Sequence, residues 1–280
     1  MRSILVYADR GKAMQARLET ALSLARMTGG HVSVMVDTPI ARYTSVDPLG
    51  GSYIAADAIR ETMARDDAFA DELAARLARD DVPYDVIRCE DEPVDALADA
   101  ARLADVVVLS RDCDFAGALA LSTRCPILLV PNRSFKLAEE GEIDAEPRGG
   151  HDQAVSGTQL PIRRACIAWD GGEEAAAALR AAIPLLSGDV HVLTVREKQG
   201  GFPSTGALRY LSRHGIKAEF SEVDRVGSTA ESLAAAVARL QADLLVLGAY
   251  GRSRMREFLF GGVTRHFLHA EVGPPLFLAH

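Results

Sequence analysis

The strongest constraint on the fold is an internal repeat: the chain contains two copies of one pattern of apolar runs and helix-like stretches. The first copy opens with an apolar run from Ser3 to Asp9, and the second opens with a similar run from Ala165 to Asp170. Each run ends in an aspartate and leads into an alanine-rich stretch, which predicts a strand followed by a helix. Repetition of such units indicates two domains with the same architecture, and the length of 280 residues fits two domains.

Further apolar runs extend each copy to five strands. The fourth run of each copy, 105–109 and 243–247, is nearly all apolar. Near-continuous apolar strands that alternate with helical stretches are typical of a parallel sheet covered on both faces. The predicted strands are 3–9, 32–36, 84–88, 105–109 and 126–130 in the first copy, and 165–170, 190–195, 218–223, 243–247 and 275–279 in the second. The predicted helices are 12–27, 55–78 and 93–103, and 173–186, 229–240 and 265–270. The sequence therefore predicts an α/β protein with two tandem, open, doubly wound parallel sheets of five strands each.

A stretch with few apolar residues separates the two copies. Residues 132–161 are rich in glycine, proline and acidic residues, which is typical of a linker. We therefore divide the chain into a first domain at residues 1–131, a linker at 132–161 and a second domain at 162–280. A packed arm is the alternative structure for the middle segment.

The composition argues against several classes of partner. The formal net charge of −8 disfavours nonspecific binding to nucleic acid and to anionic membranes. No apolar run reaches the roughly 18 residues that a membrane-spanning helix requires. The first residues form a short apolar run that Asp9 interrupts, and this predicts a strand rather than a signal peptide. We therefore expect a cytoplasmic protein that binds neither nucleic acid nor membrane.

A glycine pattern near the C-terminus predicts a phosphate-binding loop after the run 243–247. The pattern consists of Gly248, Gly251, Gly261, Gly262, Val263 and Thr264. Glycine at a strand exit allows the backbone to approach a ligand closely, and amide groups at the start of the next helix attract anions. The alternative is that these glycines only form turns and helix ends.

The spacing of these residues resembles that of the nucleotide-binding members of the universal stress protein family. Their pattern is Gly, two residues, Gly, nine residues, Gly, then Ser or Thr, often with Val-Thr following. The chain departs at Gly262, which stands where the family often has a hydroxyl residue. The resemblance implies a Rossmann-like, adenine nucleotide α-hydrolase-like fold with the strand order 3-2-1-4-5. It also implies ATP, with or without Mg²⁺, as the ligand of the second domain.

The resemblance further implies which residues of the second domain contact ATP. Asp170 would contact the nucleoside from the end of the first strand, although a helix N-cap is its alternative role. Val195 matches a position whose backbone contacts adenine. The other nucleoside positions are Ala168 and Leu247, and the phosphates would lie on Gly248, Gly251, Gly261, Gly262, Val263 and Thr264. Arg252 follows the loop and is a candidate for bidentate pairing with a phosphate, and a solvated surface position is its alternative.

The first domain lacks the glycine loop. Its corresponding segment, Ser110 to Phe115, contains no glycine and places two carboxylates where phosphates would lie. Because like charges repel strongly in a partly buried site, we expect no ATP in the first domain, and we assign Asp9 to helix capping. The first domain instead has a long insertion at 38–81, whose helix covers the sheet or whose loop reaches a partner or ligand.

These features predict an ATP-binding stress-response or regulatory protein rather than an enzyme. No catalytic or metal-binding motif stands out, since His266 and His269 lie three apart without further ligands nearby. The alternatives are an interaction module of the same fold that binds no nucleotide, and a weak ATPase. The resemblance implies pairing between fifth strands, so that 126–130 and 275–279 would join the domains as an intramolecular pseudo-dimer. A homodimer is the alternative assembly.

Overall fold

A computed structural model describes residues 1–40, 44–46, 52–54, 56–131, 162–196, 205–249, 262–270 and 272–280. The proposed linker at 132–161 lies outside the described residues, as does the middle of the glycine pattern, 250–261. Three of the predicted site residues, Gly251, Arg252 and Gly261, therefore have no described position.

Strands and helices alternate through both copies of the repeat. The first copy contains β1 (Ser3–Ala8), α1 (Met14–Thr28), β2 (His31–Asp37), β3 (Thr44–Val46), β4 (Ser52–Ile54), α2 (Ala56–Leu77), β5 (Tyr84–Cys89), α3 (Pro93–Ala100), β6 (Val106–Ser110), α4 (Ala116–Ser122) and β7 (Ile127–Val130). The second copy contains β8 (Arg164–Ala168), α5 (Glu173–Ala182), β9 (Asp189–Val195), α6 (Thr205–Arg213), β10 (Ala218–Val223), α7 (Thr229–Arg239), β11 (Leu244–Gly248), α8 (Gly262–His269) and β12 (Leu276–Ala279).

Several helix boundaries follow directly from the residues found there. α3 begins at Pro93, where the fixed φ of proline suits the first helical turn and the missing N–H costs nothing. α7 begins after Ser228, which forms a reciprocal capping box with Glu231. α1 ends at Gly29, whose φ of 62° is the left-handed conformation that terminates many helices.

One ten-stranded sheet contains all the strands except the short pair β3 and β4. Its order is β10-β9-β8-β11-β12-β7-β6-β1-β2-β5, so each half has the predicted order 3-2-1-4-5. Neighbours within each half are parallel, whereas β12 and β7 pair antiparallel, with Phe277 opposite Leu128. The predicted α/β fold is confirmed, and the two five-stranded halves are joined edge to edge in a continuous sheet.

Helices cover both faces of this sheet. Buried residues of α1, α2, α5 and α6 pack on one face, and those of α3, α4, α7 and α8 pack on the other. Each hydrophobic cluster contains residues from both halves, and Leu128 and Phe277 belong to the same one. Because apolar burial is the main stabilising contribution in folding, the junction between the halves is part of the core.

An aspartate before the fourth strand of each half holds the start of the first strand. Asp105 accepts hydrogen bonds from the backbone N–H groups of Arg2 and Ser3, and Asp243 accepts one from Arg164 at 2.9 Å. The backbone hydrogen bonds lower the pKa of Asp105. Since the two aspartates occupy equivalent places, the repeat extends to side-chain contacts as well as to strand order.

The structure also contains elements that the sequence patterns did not predict. These are the helices α4 and α6 and the short antiparallel pair β3 and β4. α4 has only seven residues and no side-chain cap at its start, so it lacks the usual signals of a helix boundary. The predicted helix of the insertion is confirmed as α2, which packs on the sheet through Ala70, Leu73 and Leu77.

Candidate functional site

The carboxyl ends of β9, β8 and β11 lie side by side at one edge of the second half. Because these strands are parallel neighbours, Ala168, Val195 and Gly248 end at this shared edge, and Asp170 follows just beyond it. In doubly wound sheets, ligands bind at the carboxyl edge where the strand order reverses. The structure thus brings together residues from three distant parts of the chain.

The predicted site residues at this edge differ in exposure. Asp170 is exposed, and Ala168 and Gly248 are partly exposed. Val195 and Leu247 are buried, with 8% and 2% of their surface exposed. The side chains of these two residues therefore belong to the core, and Val195 can offer a ligand its backbone more readily than its side chain.

Asp170 orders the turn that follows β8. Its Oδ1 accepts a hydrogen bond from the backbone N–H of Gly172 at 2.8 Å. Gly171 has a φ of 75°, a left-handed conformation that glycine adopts without steric cost. α5 begins at Glu173, and its N-cap, Gly172, makes no side-chain capping bond. The helix-cap interpretation of Asp170 is therefore wrong, because the carboxylate bonds within the turn before the helix.

Gly248 allows α5 to pack closely against the end of β11. A Cβ atom at this position would lie 2.5 Å from the backbone nitrogen of Ala175 and 2.9 Å from the carbonyl oxygen of Glu174. Side chains are not tolerated at such distances, so the start of α5 can approach only because residue 248 is glycine. The glycine pattern predicts a close approach of a ligand to the backbone. At Gly248, the start of α5 makes this close approach instead.

The last three residues of the glycine pattern form the first turn of α8. The N–H groups of a first helical turn have no acceptor within the helix and attract anions. Gly262 is exposed, and a Cβ atom there would meet no atom within 4 Å. Val263 is partly exposed, whereas Thr264 is buried, with 4% of its surface exposed. The start of α8 thus presents backbone amides more openly than the Thr264 hydroxyl.

Side chains fill the corresponding edge of the first half. The strand register places Tyr7 where the second half has Ala168, and Asp37 where it has Val195. Tyr7 makes a side-chain hydrogen bond with Asp37, and its ring meets that of Phe115 edge to face, with centroids 5.2 Å apart. Burial and the bond with Asp37 raise the pKa of Tyr7. The first half thus carries a large aromatic side chain at the strand end where the second half carries the methyl group of Ala168.

Asp9 does not have the helix-capping role that the sequence predicted. Its Oδ1 accepts hydrogen bonds from the N–H of Gly11 at 2.7 Å and from Nη2 of Arg17 at 2.6 Å. α1 begins at Met14, and its N-cap, Ala13, makes no side-chain capping bond. The capping prediction is wrong. Because Arg17 has only 1% of its surface exposed, Asp9 instead provides a charged partner for a buried guanidinium.

Arg111 reaches from the first half into the second. It follows β6 at the place where Ala249 follows β11. Its guanidinium donates to the carbonyl oxygens of Phe267 at 2.9 Å, Ala270 at 3.2 Å and Pro274. With 8% of its surface exposed, Arg111 is buried at the junction of the two halves.

Tyr7, Asp37 and Arg111 were all missed by reasoning from the sequence. Each is a polar or charged residue at a position where the other copy has alanine or valine. A residue-by-residue comparison of the two copies at the strand ends would have identified these differences.

The described part of the chain contains few other groups suited to chemistry. Burial raises the pKa of the Cys113 thiol to about 12, so the reactive thiolate form is scarce at neutral pH. No cluster of three or more metal-ligating side chains occurs among the described residues. None of the described helices is both long and apolar enough to span a membrane.

Residues 211–270 match the sequence model of the universal stress protein family. The matched segment runs from the end of α6 through α8 and contains the whole glycine pattern. This segment is therefore similar in sequence to the universal stress protein family. The repeated strand order shows that the chain contains two units of the same fold in tandem.

Solved structures resemble this chain over its whole length. A universal stress protein from Archaeoglobus fulgidus DSM 4304 is similar with a TM-score of 0.64 and 16% identity, covering 99% of this chain and 96% of that chain. A functionally unknown protein from Pseudomonas aeruginosa PAO1 is similar with a TM-score of 0.57 and 15% identity, covering 100% and 92%. No curated protein sequence matches the chain significantly. At these identities, the similarity shows the fold alone.

Proposed function

We propose that the chain is a universal stress protein that binds one ATP molecule in its second domain, residues 162–280, and acts as a stress-response or regulatory protein without a catalytic role. The observation that carries the proposal is the contrast between equivalent strand ends. The second half has Ala168 and Val195 at its edge, whereas the first half has the larger Tyr7, bonded to Asp37, where the second has Ala168. A nucleoside therefore has room in one half only.

The nucleoside would lie over the ends of β8 and β9. The exposed carboxylate of Asp170 is held in its turn by the hydrogen bond from Gly172, and it can accept a hydrogen bond from a ribose hydroxyl or an adenine amino group. The backbone of Val195 would contact adenine. Ala168 would leave room for the sugar, and Leu247 would support the base or sugar from the core.

The phosphates would lie between the end of β11 and the start of α8. The amide groups of Gly262, Val263 and Thr264 carry the partial positive charge of a helix N-terminus. The glycine pattern supplies the remaining contacts, from Gly248, Gly251, Arg252 and Gly261. An Mg²⁺ ion that arrived with the nucleotide would be held mainly by the phosphate oxygens.

We also propose that the two domains act as an intramolecular pseudo-dimer in the cytoplasm. The antiparallel pairing of β7 with β12 supports this assembly, because it joins the strands through which separate domains of this fold would associate. The four cysteines are all unpaired, which supports a reducing compartment.

Calorimetric titration with ATP tests the proposed site. We expect about one ATP per chain, since only one edge is open, and no measurable binding after Gly251→Leu or Gly261→Leu, since a side chain would block the approach to the loop. Gly206→Leu in α6 is the matched control, because a Cβ atom at Gly206 would meet no atom within 4 Å. Two equivalent sites, or unchanged binding in both loop variants, would contradict the proposal. No binding by the unaltered protein would favour an interaction module.

Turnover separates a binding protein from an enzyme. We expect ATP to remain intact over many minutes with Mg²⁺ present. Release of phosphate at a rate on the order of 1 per second would indicate an ordinary enzyme instead, and a much slower rate would indicate a weak ATPase.

A further inference from the structure

Arg111 belongs to the first half, yet its guanidinium contacts the second half at the end of α8. Nη2 donates to Phe267 in the last turn of the helix, and Nε donates to Ala270 just beyond it. Nη1 donates to Pro274 in the segment leading to β12. One side chain therefore fixes the end of a helix and the connection that follows it.

The chemistry of a helix end explains why a cation suits this position. The last carbonyl groups of a helix lack intrahelical partners and carry partial negative charge. At a buried helix end, water cannot readily satisfy them, so a side-chain donor is needed. Burial lowers the pKa of Arg111, but arginine remains charged at neutral pH. Its fork of N–H groups matches several carbonyl acceptors at once.

The surroundings of Arg111 leave room for the guanidinium. A Cβ atom at Gly273 would lie 3.1 Å from Nη1 of Arg111, which is tighter than ordinary side-chain packing. Glycine at this position therefore permits the close approach of the guanidinium. In the other half, Ala249 occupies the position equivalent to Arg111, so the contact runs in one direction, from the first half to the second.

The opposite end of α8 carries the residues proposed to hold phosphate. α8 is eight residues long, which corresponds to about 12 Å of helix. A short helix moves as a rigid unit, so a contact that fixes its last turn also fixes the direction of the amides at Gly262 and Val263. Without that contact, the first turn could tilt away from the ends of β8 and β11.

We infer that Arg111 is a positioning residue for the ATP site of the second domain: the first half, which has no glycine loop, holds α8 in the orientation that binds phosphate. This inference rests on the proposed function. It gives the first domain a role in nucleotide binding although its own edge is filled.

The test compares two buried arginines of the first half. Arg111→Met removes the donors at α8, and Arg17→Met removes a buried arginine whose hydrogen bonds stay within the first half. ATP affinity is measured by calorimetry and by the fluorescence of Trp169, the single tryptophan, which lies between two of the proposed nucleoside residues. Hydrogen exchange of the α8 amides is measured without nucleotide.

We expect Arg111→Met to weaken ATP binding about 10-fold, a typical coupling between separate sites, and to speed exchange in α8. Arg17→Met should lower thermal stability but leave ATP affinity within about 2-fold. Equal losses of affinity in the two variants, or an unchanged affinity in Arg111→Met, would overturn the inference. If Arg111→Met does not fold, Arg111→Lys replaces it: affinity should fall by a smaller factor, and unchanged affinity would again overturn the inference.

A failure of the proposed function gives a different result. In that case the unaltered protein binds no ATP, while exchange in α8 still reports on Arg111. Faster exchange in Arg111→Met would support its hold on the helix, and unchanged exchange would overturn that as well.

Discussion

The two halves of the molecule share a strand order and a register but differ in the side chains at their carboxyl edges. In the first half, Tyr7 and Asp37 hydrogen-bond to each other across the ends of β1 and β2. In the second half, Ala168 and Val195 stand at these places. Two differences at strand ends change the side chains at this edge while the backbone framework is kept. A repeated fold can therefore contain two chemically different edges.

The halves also differ in how a helix meets the fourth strand. Gly248 ends β11 and lets the start of α5 approach its backbone, whereas Ser110 ends β6 at the equivalent place. At this strand end, the first half accommodates the side chain of Ser110, whereas the second half has no room for a Cβ atom at residue 248. The first glycine of the pattern is thus required by the packing of the second half.

The largest effect should follow from removing the strand that joins the halves. Deleting residues 276–280 removes β12, whose four residues are buried in the middle of the sheet. We expect the free energy of unfolding to fall by about 5 kcal/mol or more, since several large apolar side chains leave the core. Differential scanning calorimetry would show both halves melting at lower temperature. Deleting His280 alone is the control, and an unaffected melting curve after the longer deletion would mean that the halves are independent.

A smaller loss of stability should follow from adding one methyl group to the end of β11. Gly248→Ala would place a Cβ atom 2.5 Å from the backbone of α5, and the helix would have to shift. We expect a cost of about 2 kcal/mol, as for other overpacked sites, measured by urea denaturation. Gly262→Ala is the matched control, because its Cβ atom would meet no atom within 4 Å. Equal stability of the two variants would show that α5 can shift without cost. The second half would then tolerate a side chain at residue 248, as the first half does at Ser110.

The smallest effect concerns the hydroxyl residue that this chain lacks. Gly262→Ser places a hydroxyl at the start of α8, in open space, where it can donate a hydrogen bond to phosphate. We expect ATP affinity to rise about 5-fold, because a single added hydrogen bond contributes about 1 kcal/mol. Calorimetric titration would measure the change, with Gly262→Ala separating the hydroxyl from the added carbon. Equal affinity of the serine and alanine variants would argue against phosphate at this turn.

The strands were predictable because their signal is local. A buried parallel strand is a short apolar run, and the predicted run 105–109 overlaps β6, whose five residues are all buried. The short helix α4 gave no such signal. The capping role predicted for Asp9 and the alternative capping role of Asp170 were wrong, since both carboxylates bond within the turn before the helix. α1 begins two residues later than predicted, whereas α5 begins at the predicted residue, Glu173.

The features of the site that involve two distant segments could not be predicted in the same way. The bond between Tyr7 and Asp37 and the contacts of Arg111 with α8 depend on which strand ends become neighbours. A single sequence supplies the composition of each segment but not its spatial neighbours. The strand order implied by the family resemblance places β1 beside β2. It does not predict that the side chains of Tyr7 and Asp37 contact each other.

The antiparallel contact between β7 and β12 has a consequence for how the protein responds to its own abundance. Two separate subunits joined at such an edge would come apart at low concentration, whereas units in one polypeptide remain together at any dilution. Each half with Tyr7 at its edge is therefore always accompanied by one half with Ala168 at the equivalent place, in a fixed ratio. A cell that makes only a few copies would obtain the same complete assembly as a cell that makes thousands.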